Sequence, residues 1–430
     1  MTQRLAKKRI REAPSVEARV VVVGAGFAGG SFLQNLPSSL WGSENALLID
    51  RAPEYTFVPL THEVAVGRIH PSTVRDPIAP NHRVPYSFLQ TDVTGVDLEN
   101  NTLLTPAGII KYRYLVLAPG SVAAPLPEGI SDHFQTFWGL GDALKLRRSL
   151  NGAWQTALRG GSDTGGLTVT IVGGGATGVE LAAEIAALFA YLRRRATGTP
   201  SEEPRVVLLE ATDRLMDWLD PYFHNVALEE LARLGVEVRM NTPVTRANAE
   251  GVEAGNEWVP AATRVWATGV QANPLVSSLP GKHDSSARVL VDGYLTLPDH
   301  PEVYVLGDSG VCEHPRLGPL PPTASVAVQQ GPYVARDLGR RLRDTVIQRR
   351  RPFKFSDRGY VVSLGPNSAV AIAVGAKLRG RAAQALYKGI FLYYMKSSRG
   401  RLLASTDWAM ERTLGRVGFD HRVTPGRTIP

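Results

Sequence analysis

A single cysteine, Cys312, stands in a chain of 430 residues. It leaves no partner for a structural disulfide, none for the dithiol centre of a disulfide-exchanging reductase, and nothing for a cysteine-cluster metal site. No metal is expected. Aromatic residues are also scarce, at 7%. Long hydrophobic runs are missing: no stretch approaches the roughly 20 uncharged apolar residues that cross a bilayer. The basic start (Arg4, Lys7, Lys8, Arg9, Arg11) is not followed by the apolar run of a signal peptide, so the chain is expected on the cytosolic side. What is present, 43% apolar and 20% charged residues, suffices for a large core divided into two or three domains and excludes disordered and fibrous classes.

Charge is unevenly placed. Residues 340–430 carry 19 basic and 5 acidic side chains, a net of +14 against +8 for the whole chain, so the first 339 residues carry −6. A basic block of this kind suits an anionic surface, either nucleic acid or the inner leaflet of a membrane.

After a polar, basic leader (1–18), read as disordered, the β-branched run Arg19 to Val23 meets Gly24-Ala25-Gly26-Phe27-Ala28-Gly29 and an apolar helical stretch stopped by Pro37. A second apolar run, Ala46 to Ile49, ends in Asp50. This strand, glycine turn, helix, strand order recurs. Thr168 to Val172 leads into Gly173-Gly174-Gly175-Ala176-Thr177-Gly178, a long helix follows, and Val206 to Leu209 ends in Glu210. Each copy closes on a strand and a small-residue turn, Ala118-Pro119-Gly120 in one and Ala267-Thr268-Gly269 in the other, and the spacing from Gly24 to Gly120 equals that from Gly173 to Gly269, 96 residues. The expected fold class is therefore α/β, with two Rossmann-type dinucleotide-binding domains and a basic, partly amphipathic C-terminal region. The division reads as a leader (1–18), a first binding domain (19–140), a second (141–284), a return to the first (285–348) and a C-terminal region (349–430).

In each fingerprint the first glycine (Gly24, Gly173) permits the tight turn. The second (Gly26, Gly175) lets the backbone approach a pyrophosphate, and the third (Gly29, Gly178) lets helix and strand pack closely. Free N–H groups at the helix start hold the anion. Asp50 and Glu210 are placed to accept hydrogen bonds from ribose hydroxyls, and a carboxylate at Glu210 repels a 2′-phosphate, favouring NADH over NADPH. Arg214, four residues on, leaves NADPH open. Two such domains in one chain suit the meeting of a flavin and a nicotinamide, which must stack within about 3.5 Å for hydride transfer. The first domain, re-entered at Gly307-Asp308, is the FAD candidate. Asp308 suits the ribityl-phosphate side of FAD, although a strand-end carboxylate capping the next turn would look the same.

At this point the chain resembles the type II (single-subunit, non-pumping) NADH:quinone dehydrogenases, from about Arg19 to Arg416. The resemblance is carried by the run from Phe57 to Gly67 (FVPLTHEVAVG), by Thr177-Gly178-Val179-Glu180-Leu181-Ala182, by Leu306-Gly307-Asp308, and by Pro321-Pro322-Thr323-Ala324 leading to Gln329-Gln330-Gly331. It implies FAD in the first domain, NADH as substrate on the second, and a membrane quinone reached from the C-terminal side. By motif position it implies that Pro59, Val93, Ala118, Gly120 and Ala327 also lie along FAD, and that Thr177, Thr268 and Gly269 lie along NADH. Glu180 is the implied acid. A hydride brings two electrons and one proton, whereas forming a quinol takes two protons, so a buried carboxylate with a raised pKa is a suitable source. Glu180 equally suits offsetting the helix dipole. One departure concerns the quinone helix, which in the family reads Ala-Gln-x-Ala-x-Gln and here runs Ala324-Ser325-Val326-Ala327-Val328-Gln329. Ser325 and Gln329 are the quinone candidates, and the shorter Ser325 reaches a headgroup only through water or in another pose.

In the tail, Tyr387, Ile390, Phe391, Tyr393 and Tyr394 cluster among Lys388, Lys396, Arg399 and Arg401, and Met410, Leu414 and Val417 keep helical spacing beside Arg412 and Arg416. The combination suits an in-plane amphipathic anchor on anionic lipid, at the cytoplasmic face of the cell membrane. No nucleic-acid motif is present, and nucleic acid is not an expected partner. The same stripe also suits plain core or the contact of a homodimer. Lys388 is a candidate for facing the flavin, and Cys312 reads as a small buried hydrophobe. Two other functions fit the cofactor residues: a soluble NADH-dependent flavin reductase and a non-catalytic NADH-sensing flavoprotein. Sulfide:quinone oxidoreductases share the two-domain plan but need several cysteines.

Overall fold

The computed structural model describes residues 16–42, 44–78, 85–161, 165–343, 350–414 and 416–419. The leader lies outside the described residues as far as residue 15, and residues 16–18, read as leader, already belong to the first strand, Val16–Val23. Two compact units divide the chain. Met1–Tyr55, Pro77–Val122 and Val270–Asp357 make the first, and Thr56–Asp76, Ala123–Gly269 and Arg358–Pro430 make the second.

These cuts differ from those read along the sequence. The segment Thr56–Asp76 falls in the second unit, where its helix Thr61–Ala65 packs on the helices Leu140–Leu158 and Ala176–Arg195. The segment Arg358–Pro430, read as most of a C-terminal region, is grouped with that unit too. Helix Gly380–Tyr394 lies on strand Ala369–Ala373, and the small sheet containing that strand meets helices Ala176–Arg195 and Pro221–Arg233.

The sheet of the first unit runs in the order Thr296–Leu297, His300–Val305, Gly108–Leu117, Val16–Val23, Ala46–Asp50, Ser87–Gln90. Its central pairings are parallel, with Val22 opposite both Leu48 and Val116. Such strands are covered on both faces, which is why Val20–Val22 and Leu115–Leu117 read as unbroken apolar runs and are fully buried. In the second unit the order is Gln135–Thr136, Thr263–Trp266, Thr168–Val172, Arg205–Leu209, Val236–Arg239, parallel throughout. In both sheets a glycine turn follows a strand flanked on either side by later strands, the topological switch point at which open α/β sheets bind nucleotides. The C-terminal segment adds an antiparallel sheet (Gly359–Ser363, Ala369–Ala373, Ala376–Arg379) and the helices Gly380–Tyr394 and Ser398–Leu414.

Helix Phe27–Gln34 lies against helix Ala324–Arg343, and a glycine lets them approach. A β-carbon added at Gly331 would stand 2.1 Å from Ser31 Oγ and 2.5 Å from Phe32 N. Gly331→Ala is therefore expected to destabilise the protein by about 1–3 kcal/mol through overpacking. Chemical denaturation measures this, and an unchanged midpoint would contradict the packing described.

Candidate functional site

The two glycine turns share one construction. Gly24 and Gly173 have φ of +95° and +111°, and a β-carbon on either would meet the carbonyl oxygen of the neighbouring small-residue turn, Ala118 O at 2.3 Å and Ala267 O at 2.5 Å. At Gly29 and Gly178 a β-carbon would lie 2.0 and 1.9 Å from the carbonyl oxygens of Gly24 and Gly173. Gly26 and Gly175 face open space. The equal spacing in sequence thus reflects equal contacts: each turn is wedged between its own helix and the end of an adjacent strand.

In the first unit Asp50 is tied to its turn, accepting from Ala25 N–H at 2.8 Å and from Ala52 N–H at 2.9 Å. Two carboxylate oxygens offer about four acceptor sites, so capacity remains for hydroxyl groups. Gly24, Asp50, Val93, Pro119 and Asn273 line one cleft. Asp308 is half-buried and accepts from Ser121 Oγ–H at 2.7 Å, while Ser309 Oγ–H donates to Gly120 O at 3.0 Å. Burial pushes the Asp308 carboxyl up, against the opposing effects of the Ser121 hydrogen bond and Arg288. Gly307 N–H donates to Gln330 Oε1 at 2.6 Å, and Ala327 lies beside Gly307. The structure therefore gathers Gly24, Asp50 and Val93 at one cleft, and Gly120 with Asp308. Pro59 belongs to the second unit. Gln329 is spent inside the chain: its Nε2 donates to Ser325 O at 3.0 Å and to Ser356 O at 3.1 Å, and its Oε1 accepts from Ser356 N–H at 3.0 Å. It staples the helix to the segment after residue 350.

In the second unit Glu210 accepts from Gly174 N–H at 2.5 Å and from Thr212 N–H at 2.8 Å. Arg214 donates to Asp217 O at 2.5 Å and is held in its own turn. Thr177, Thr268 and Gly269 are exposed.

Four residues in from the fingerprint's helix start, Glu180 opens a network that motif reading names only in part. Its Oε1 accepts from Ser363 N–H at 3.1 Å, and its Oε2 lies 3.8 Å from His62 Nδ1. Its side chain is 15% exposed, enough to exchange a proton with solvent. Burial pushes its carboxyl up to about 8, opposed by the Ser363 hydrogen bond and helped by Glu63 and Glu184. His62 is buried, which drops its pKa to about 4 and leaves it neutral near pH 7. Tyr387 Oη stands 3.1 Å from His62 Nε2 and donates to Glu63 Oε1 at 3.1 Å, while Trp408 Nε1–H donates to Glu63 Oε2 at 2.7 Å. Arg68 pairs with Glu184, with Glu411 at 3.2 Å and with Glu63 at 3.5 Å. Burial alone would lower the Arg68 pKa, but Glu184, Glu63 and Glu411 outweigh it and fix the positive charge. His62 and Glu63 belong to the run from Phe57 to Gly67. For Glu184 the signal was available: two carboxylates at i and i+4 among Ala182, Ala183, Ile185 and Ala186. Arg68 and Tyr387 join them only through the fold.

In the tail, Tyr387 is fully buried, its ring tilted at 47° to that of Phe391 with centroids 4.2 Å apart, and Phe391 meets Phe57 at 5.7 Å. Part of the aromatic stripe is therefore core. Tyr393, Leu402, Met410 and Val417 are exposed, and Lys388 Nζ lies 5.0 Å above the Trp408 ring. The side chains of Arg412 and Leu414 lie outside the described residues. Burial pushes the Cys312 thiol up to about 11, as fits an inert small hydrophobe. Among the described residues no helix is long and apolar enough to cross a membrane.

A relative from Dictyostelium discoideum described as a probable NADH dehydrogenase is 26% identical over 413 residues, 93% of this chain and 90% of its own length. The type II NADH:quinone oxidoreductase of Staphylococcus aureus is 28% identical over 382 residues, 86% of this chain and 94% of that one. In the solved structure of NDH2 from Plasmodium falciparum in complex with NADH, the fold superposes with a TM-score of 0.83 at 17% identity, covering 94% of this chain and 99% of that one. The family pattern Pyridine nucleotide-disulphide oxidoreductase matches residues 18–331. The chain belongs to the pyridine nucleotide-disulphide oxidoreductase family.

Proposed function

We propose that this chain is an FAD-dependent NADH:quinone oxidoreductase, which passes two electrons as hydride from NADH to FAD and then to a quinone, without moving ions across a membrane. The observation that carries the reading is the duplicated cradle. Each unit offers a glycine turn open at its second glycine and a strand-end carboxylate that accepts from the turn yet keeps capacity for ribose hydroxyls. In the first unit Gly24, Gly26, Gly29, Asp50, Val93, Ala118, Gly120, Gly307, Asp308 and Ala327 would hold FAD. Gly173, Gly175, Thr177, Gly178, Glu210, Thr268 and Gly269 would hold NADH. FAD supplies the hydride acceptor and returns the electrons as a pair. The chain supplies the proton that the hydride does not bring. Glu180, protonated near neutrality, is the donor, and water re-protonates it at its exposed edge.

The acceptor side is proposed to sit at the cytoplasmic face of an anionic membrane. Tyr393, Leu402, Met410 and Val417 are apolar groups left in solvent on a segment that also carries Arg399 and Arg401.

Glu210→Gln should raise KM for NADH about tenfold, the cost of about one good hydrogen bond to a charged acceptor, and narrow the preference over NADPH. Steady-state kinetics with both nucleotides checks this, and an unchanged ratio would remove Glu210 from the ribose site. With Glu180→Gln, quinone reduction should fall about 100-fold or more while bleaching of the flavin by NADH persists. Because the acid must be protonated, wild-type turnover should decline as pH rises through about 8, and Glu180→Gln should lose that limb. A limb unchanged in the variant would reassign it. Tyr393→Asp with Leu402→Asp should weaken sedimentation with phosphatidylglycerol vesicles about tenfold and leave soluble-acceptor turnover intact. Undiminished vesicle binding would remove this face from the membrane contact.

A further inference from the structure

The two cradles share a construction and differ at one side chain. In each, the strand-end carboxylate accepts from two backbone N–H groups at matching positions. Asp50 takes the N–H of Ala25, the residue after the first glycine, at 2.8 Å, and that of Ala52, two residues on, at 2.9 Å. Glu210 takes the N–H of Gly174 at 2.5 Å and that of Thr212 at 2.8 Å. The residue two positions after the carboxylate is thus alanine in the first unit and threonine in the second, and the Thr212 hydroxyl makes a third bond, to Glu210 Oε1 at 2.9 Å. Arg214 O lies 3.1 Å from the same hydroxyl, but its single hydrogen favours the charged acceptor, which is the stronger.

The additional bond answers an additional torsion. Glutamate has one more rotatable bond than aspartate, so the two backbone donors that hold Asp50 confine the Glu210 carboxylate less. With Thr212 N–H and Oγ–H both on Oε1 and Gly174 N–H on Oε2, about one of four acceptor sites remains, on Oε2 beside the fingerprint turn. A β-carbon on Gly174 would lie 2.9 Å from that oxygen. The loop carrying Thr212 is anchored without its hydroxyl: Asn241 N–H donates to Thr212 O at 2.8 Å, and Met216 N–H donates to Gly174 O at 2.9 Å. The nicotinamide dinucleotide also comes in two forms, with and without a 2′-phosphate, a choice that FAD does not present. A carboxylate fixed in place meets a ribose hydroxyl and repels a phosphate, whereas one free to swing away leaves the phosphate unopposed.

We propose that Thr212 is a positioning residue for nucleotide selectivity: its hydroxyl locks the Glu210 carboxylate in the pose that accepts a ribose hydroxyl and turns away a 2′-phosphate. This role rests on the reading of Glu210 as the ribose acceptor. In Thr212→Val the β-branched shape and the backbone N–H stay, and only the hydroxyl goes.

The test uses flavin-loaded enzyme and two competitors of NADH that carry no nicotinamide, ADP-ribose and its 2′-phosphate, so that only the adenosine end is read. Their inhibition constants against NADH are measured with a soluble acceptor. In wild type, ADP-ribose should bind more than tenfold tighter than its 2′-phosphate. Thr212→Val should narrow that ratio about tenfold, the worth of one hydrogen bond to a charged acceptor, by weakening the first competitor and strengthening the second. Thr212→Ser, which keeps a hydroxyl, should return the wild-type ratio. A ratio unchanged in Thr212→Val while Glu210→Gln narrows it overturns the role of Thr212 and leaves Glu210 in the ribose site. Equal weakening of both competitors in Thr212→Val, or a narrowing that Thr212→Ser shares, also overturns it, since a threonine that only shapes the loop would act that way. A ratio that neither Thr212→Val nor Glu210→Gln moves overturns the reading of Glu210 as well.

Discussion

Everything in this molecule depends on two close approaches of backbone to backbone, Gly24 against the carbonyl of Ala118 and Gly173 against that of Ala267. At each, the left-handed conformation and the absent side chain allow a strand to turn into a helix while the neighbouring strand ends directly beside it. That contact aims the helix's first N–H groups outward past an open second glycine. It also sets the adjacent carboxylate, Asp50 or Glu210, where it can brace the turn and still receive a hydroxyl. The shape of each glycine turn is a consequence of this packing.

The second constraint is electrostatic. Burying Arg68 with Glu63 and Glu184 costs several kcal/mol per ion before their mutual attraction offsets it, so such a cluster is poor evidence for stability. What it does provide is a set of pKa values pushed apart within a few ångströms: Glu63 held low, His62 down to about 4, Glu184 up to about 7 and Glu180 up to about 8. A carboxyl raised as Glu180 is holds a proton near pH 7, which is the requirement left open when a hydride donor reduces a two-proton acceptor.

The repeated cradle was legible in the sequence because each of its parts is local: a β-branched run, a glycine triplet, a helix, an acidic residue at the next strand's end. The return of His300–Val305 to the first sheet was legible for the same reason, as an apolar strand ending at Gly307-Asp308. What the sequence hid is non-local. Nothing along the chain ties Arg68 to Glu411 or Tyr387 to His62, more than 300 residues apart, and only folding the C-terminal helices onto the second unit joins them. The aromatic tail misled in part, because a stripe at helical spacing gives the same signal whether it faces lipid or core. Tyr387 and Phe391 turn inward while Tyr393 does not. Gln329 also has a non-local partner: its amide is engaged by Ser356, 27 residues away, which no motif announces.

The central claim is that one chain holds a flavin which NADH reduces and a quinone re-oxidises. Anaerobic titration of the purified protein with NADH, followed by addition of a soluble quinone, tests it most directly. The account predicts one FAD per chain, loss of its visible absorbance with one equivalent of NADH, and full return of that absorbance with one equivalent of quinone. A colourless protein that takes up no flavin, or a bound flavin that NADH leaves oxidised, would contradict it.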